Sequence, residues 1–138
     1  MHTYQRKVQY YETDKMGIAH HSNYVRWMEE ARVDFLASIG LDYATLEQKG
    51  LGSPVIDIHC KYKKPTLFGQ SIAIEIEIKE YTGFIIIFAY TMKNEAGEVV
   101  CVAESEHCFL SEAGKLLILK TSFPDIDAIL KKHCPQGE

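Results

Sequence analysis

Asp14, Gly17, His20 and His21 lie close together in "TDKMGIAHHSNYVRWMEEAR", the stretch from Thr13 to Arg32. Thr13-Asp14 ahead of a glycine loop has two readings. It is turn chemistry, in which the aspartate bonds its own backbone, or Asp14 is held against a helix N-terminus because a reaction occurs there. The first N–H groups of a helix have no intrahelical partner and sit at the positive end of its dipole. Such an end suits a developing negative charge opposite a carboxylate. Gly17 tolerates the close or left-handed backbone that would fold Asp14 back toward it. His20 and His21 are a poor metal pair, because adjacent residues rarely converge on one ion and no third ligand is apparent. Lys61, Lys63 and Lys64 form the densest basic cluster of an acidic chain. As point charges they would meet phosphates; as solvated lysines they would guard an edge strand against aggregation.

The elements that must position these groups are visible in the periodicities. Residues 4–11, "YQRKVQYY", read as a short strand. From Asn23 onward Tyr24, Trp27, Met28, Ala31, Phe35 and Ile39 recur at helical spacing, with Ser22 as expected N-cap and Gly40 as expected C′ residue. That predicts one helix of about five turns, with Trp27 in the core. After "LGSP" the period changes to two. Ile56 to Tyr62 alternates with Asp57 to Lys63, and Ile72, Ile74, Ile76 and Ile78 alternate with polar residues, the pattern of a strand buried on one face. "FIIIFAYTMK" (84–93) is apolar on both faces and is expected at the centre of the sheet. Asn94–Glu98 is a hairpin turn, "VVCVAESEHCFL" (99–110) the next strand, and "SEAGK" turns into "LLILK". Pro124 opens a short helix, "DIDAILKKH". An antiparallel sheet of five or six strands wrapped around one long central helix buries this pattern economically, an α+β fold in a single domain, 1–138. Its leftover edges and apolar surface predict edge-to-edge dimers and face-packed tetramers.

The composition narrows the function. With 138 residues there is room for one core. A net charge of -4 argues against nucleic-acid binding. No apolar run approaches the roughly 20 residues that span a bilayer, and "MHTYQRKVQYYETD" has no secretory core, so a cytoplasmic location is expected. Cys60, Cys101, Cys108 and Cys134 include no CxxC pair and read as buried free thiols.

The order Tyr, Thr-Asp, Gly, His, Asn-Tyr, Glu and Ala-Arg in "YETDKMGIAHHSNYVRWMEEAR" resembles the hot-dog-fold acyl-CoA thioesterases of the 4-hydroxybenzoyl-CoA thioesterase type. The resemblance is closest to the bacterial branch that includes the Tol-Pal-associated thioesterase, and it runs from "VQYYETD" to "HCFL". It implies hydrolysis of acyl-CoA to free acid and coenzyme A by a cytoplasmic homodimer or homotetramer without metal or cofactor. The family's catalytic aspartate falls on Asp14, and the residue whose backbone N–H meets the thioester carbonyl falls on His21. Gly17, Lys61, Lys63 and Lys64 are the expected substrate contacts. Asp14 would activate water or attack the carbonyl carbon itself. Tyr24 and Arg32 are given packing roles, and Glu29 stays open. The alternative is a hot-dog domain that binds acyl-CoA or acyl carrier protein without turnover.

Overall fold

The structure is a computed structural model and describes residues 1–135. β1 (His2–Lys7) leads through a short 3-10 turn (Tyr10–Glu12) and a loop into α1 (Ser22–Ser38) and α2 (Tyr43–Gln48). Four strands follow: β2 (Val55–Tyr62), β3 (Ser71–Tyr81), β4 (Ile85–Lys93) and β5 (Val99–Cys108). The short α3 (Leu119–Ser122) and α4 (Pro124–Lys132) complete the described chain. The five strands form one antiparallel sheet in the order β1-β3-β4-β5-β2, with the doubly apolar β4 at its centre as its composition implies.

Period-two alternation sets the register. Ile74, Ile76 and Ile78 of β3 oppose Met92, Tyr90 and Phe88 of β4, and all six are buried. Each fully buried Ile contributes about 1.5–3 kcal/mol relative to exposure. α1 lies on this face, packed mainly against β1 and β3, and presents Tyr24, Trp27, Met28, Ala31 and Phe35 to it. The helix ends as expected. Gly40 takes φ +89°, its N–H donates to Ala37 O, and the Leu41 N–H donates to Leu36 O, which is the Schellman arrangement.

Four expectations are corrected. The first strand stops at Lys7, because Gln9 to Thr13 close a 3-10 turn whose base is the bond from the Glu12 N–H to Gln9 O. Ser22 is not the N-cap of α1. That position is His21, which already has helical dihedrals (φ -58°, ψ -27°), while the Ser22 hydroxyl sits 2.9 Å from His20 Nδ1. "LLILK" makes only an isolated bridge, Leu110 to Leu116, and then enters α3. β2 is not half-buried: Val55, Ile56, Ile58 and Tyr62 are all exposed, because β2 is the edge strand farthest from β1 and β3, against which α1 packs. Among the described residues no helix is long and apolar enough to cross a membrane. The four cysteines are free; Cys60 is half-buried and the other three are buried.

Candidate active site

Residues 13–19 form a tight hairpin between the 3-10 turn and α1. Thr13 bridges Ala19, the Asp14 N–H donates to Ile18 O at 2.9 Å, and the Gly17 N–H returns to Asp14 O at 3.0 Å. Gly17 has φ +75°, the conformation the reversal demands and most side chains resist. A second segment clamps the hairpin from outside: the Ala19 N–H donates to Thr66 O at 2.8 Å, and Ile18 bridges Leu67.

Asp14 Oδ1 accepts the Met16 N–H at 2.8 Å and the Ile18 N–H at 3.4 Å. The turn reading of Asp14 therefore describes one of its oxygens. Oδ2 has no donor among the described residues, so an orientated carboxylate keeps a free oxygen.

Across the hairpin, α1 begins without a side-chain cap. The Asn23 and Tyr24 N–H groups donate to His20 O and His21 O at 3.0 and 3.1 Å, and the Ser22 N–H donates to His20 Nδ1 at 3.2 Å. The His21 N–H has no acceptor among the described residues. Asp14 and His21 line the same hollow, a space of about 410 Å³ that also meets Tyr24, Tyr62, Lys63 and Lys64. Asp14, His21, Lys63 and Lys64 thus border one volume. Attack on a carbonyl carbon needs groups of these kinds, a carboxylate to supply or activate the nucleophile and a preorganised N–H to stabilise an oxyanion.

Tyr62 was not singled out from sequence. Its ring meets the Tyr24 ring edge-on at 4.9 Å, and its hydroxyl donates to His21 O at 3.5 Å. Burial, followed by the neighbouring Cys60, pushes the Tyr62 pKa up to about 12, so it remains a neutral phenol. Tyr24 is buried, its pKa raised chiefly by burial, and its hydroxyl is 2.9 Å from Thr66 Oγ1.

The structure does not bring every expected contact together. Lys61 lies outside the hollow. Cys60 and Tyr62 point toward α1, at Met28 and Tyr24, so Lys61 between them faces the other side of the sheet beside Val102. Gly17 shapes the loop but does not line the hollow. Lys64 is ion-paired with Glu98, whereas Lys63 has no carboxylate partner among the described residues. His20 and His21 stack at 4.3 Å with both side chains exposed.

Fold and site together define a hot-dog thioesterase architecture. The chain belongs to the Thioesterase-like superfamily, whose family description matches residues 8–131. The Bacillus subtilis protein YneP, a candidate acyl-CoA thioesterase by name, is 40% identical over 120 residues, which cover 86% of this chain and 87% of that one. A 1,4-dihydroxy-2-naphthoyl-CoA hydrolase of Thermosynechococcus vestitus is 30% identical over 108 residues, 78% of this chain and 74% of its own. Among solved structures, a DHNA-CoA thioesterase from Staphylococcus aureus superposes with a TM-score of 0.90 at 31% identity, over 94% of this chain and 88% of that one.

Proposed function

We propose that this chain hydrolyses acyl-CoA thioesters to the free acid and coenzyme A. The observation that carries the reading is the hollow lined by both Asp14, which keeps a free carboxylate oxygen, and His21, whose N–H is unspent. The thioester carbonyl oxygen takes the His21 N–H, and Asp14 attacks the carbonyl carbon or activates the water that does. The C–S bond breaks, coenzyme A leaves as its thiol after protonation, and water supplies the new oxygen of the acid. Lys63 and Lys64 meet the phosphates of coenzyme A, Lys64 exchanging Glu98 for them. The relatives named above support acyl-CoA as substrate. Kinship with the 4-hydroxybenzoyl-CoA type and its Tol-Pal-associated branch is part of the same proposal.

The working unit is a dimer made through β2, extending to a tetramer. The free edge of β2 and its exposed Val55, Ile56 and Ile58 support this pairing. An antiparallel β2–β2 contact would set the Val55 end of one copy beside the Tyr62 end of the other. A cavity of about 1150 Å³, walled by Leu36, Phe88, Ser53 and Val55, would then adjoin the hollow of the second copy and hold the acyl group.

Thiol release across a panel of aliphatic and aromatic acyl-CoAs, 1,4-dihydroxy-2-naphthoyl-CoA included, tests the reading. Turnover of at least one member is expected. Saturable binding with no thiol release from any acyl-CoA or acyl carrier protein would replace it with the non-catalytic alternative.

A further inference from the structure

The proposed site has two halves, the hairpin that carries Asp14 and the first turn of α1, and one buried residue holds both. We infer that Glu12 is a positioning residue for the hydrolysis proposed above, fixing Asp14 relative to the His21 N–H. The inference rests on that reading.

Glu12 is 3% exposed and its carboxylate accepts four hydrogen bonds. Oε1 takes the Gln9 N–H at 2.8 Å and Arg6 Nη1 at 3.0 Å; Oε2 takes Arg6 Nη2 at 2.7 Å and Trp27 Nε1 at 3.0 Å. Its carbonyl oxygen accepts two more, from the His20 N–H at 2.8 Å and Asn23 Nδ2 at 2.9 Å. Both arms of the hairpin are therefore tied at one residue. Asp14 follows Glu12 by two positions on one arm, and His21 directly follows His20 on the other. Arg6 also reaches Glu30 at 2.8 Å, so β1, hairpin and helix share one ionic cluster.

A role in folding alone accounts for this cluster poorly. Taking a carboxylate and a guanidinium out of water costs much of what their attraction returns, and apolar residues of similar volume often serve stability as well. What the cluster supplies is geometry. Asp14, Lys15 and Met16 are exposed and have little packing of their own, while an ångström of misplacement at a reacting group costs on the order of 10²-fold in rate. Bonds from β1 and α1 to the residue two before Asp14 hold it where packing cannot.

Steady-state kinetics of Glu12→Gln on the best acyl-CoA tests the inference, with Trp27→Phe as a second variant that removes the Nε1–H donor together with part of the buried indole ring. The expected result is a kcat lower by about 10- to 100-fold for Glu12→Gln, with KM changed by less than about 3-fold. Trp27→Phe should move kcat the same way by less. The double variant Glu12→Gln/Asp14→Asn should be no slower than Asp14→Asn, because Glu12 acts through Asp14. Multiplying losses in the double variant, or a lowered Tm with unchanged kcat, would overturn the inference. Should Glu12→Gln fail to fold, Trp27→Phe and its double variant with Asp14→Asn decide by the same criteria. Full activity of Glu12→Gln beside an inactive Asp14→Asn overturns this inference alone; a wild type without turnover overturns the hydrolysis reading and this inference with it.

Discussion

His107 Nε2 and Ser105 Oγ stand 2.9 Å apart on β5, and both residues are buried. The far ring nitrogen, Nδ1, faces Ser53 O at 3.1 Å. A carbonyl oxygen only accepts, so Nδ1 carries the proton and Nε2 accepts from Ser105, whose oxygen in turn takes the Tyr90 hydroxyl at 2.7 Å. A neutral imidazole satisfies every member of this chain, and an imidazolium would break it.

That arrangement sets a pH dependence. Burial, and then the nearby Arg32 charge, push the His107 pKa down to about 4, while in the unfolded chain a histidine titrates near about 6.5. Between these values the unfolded state binds more protons. The stabilisation is fully present above about pH 6.5 and is lost as pH falls toward 4, by on the order of 3 kcal/mol. Urea unfolding of wild type and His107→Gln across this window checks it. The variant should show a flatter slope; identical slopes would contradict the assignment.

Thr66→Val should leave the Tyr24 hydroxyl buried without its partner and cost about 1–3 kcal/mol. Adding Tyr24→Phe should recover part of that loss, because both polar partners are then gone. Chemical denaturation of the two single variants and the double variant measures the coupling. Additive losses would show that the 2.9 Å contact carries no energy.

The lysines separate by face. Lys63→Ala should raise KM for acyl-CoA by about 2- to 5-fold, as expected for one solvent-screened charge, and the effect should shrink in high salt. Lys61→Ala should leave KM unchanged, since Lys61 points to the opposite side of the sheet. Equal effects from both would contradict the placement of coenzyme A over the hollow.

Which features could be read from the sequence follows from their range. The Ile72–Ile78 ladder and the Tyr24–Phe35 stripe declare themselves because each repeats a local period that packing then uses. Asp14 and His21 are paired through the resemblance to the thioesterase family; the residues alone place Asp14 ahead of a helix start but leave its turn reading open. α2 was missed, being six residues without an apolar stripe; its one sequence signal is Asp42, whose carboxylate caps Thr45. The exposure of β2 was not legible, because alternation names a face but not what covers it. Glu12 was not legible either: its partners Arg6 and Trp27 lie six residues before and fifteen after, on different elements. Tyr62 reached the hollow through the sheet register, which no local pattern encodes.

In the proposed reaction the free oxygen of Asp14 acts opposite the His21 N–H. Asp14→Asn keeps an oxygen to accept the Met16 N–H, so Tm should stay within a few degrees of wild type. The kcat for thiol release from the best acyl-CoA, measured for wild type and this variant side by side, is the direct test. A loss of about 10²- to 10⁴-fold with the fold intact is the predicted result. Turnover within about 3-fold of wild type would contradict a catalytic role for Asp14.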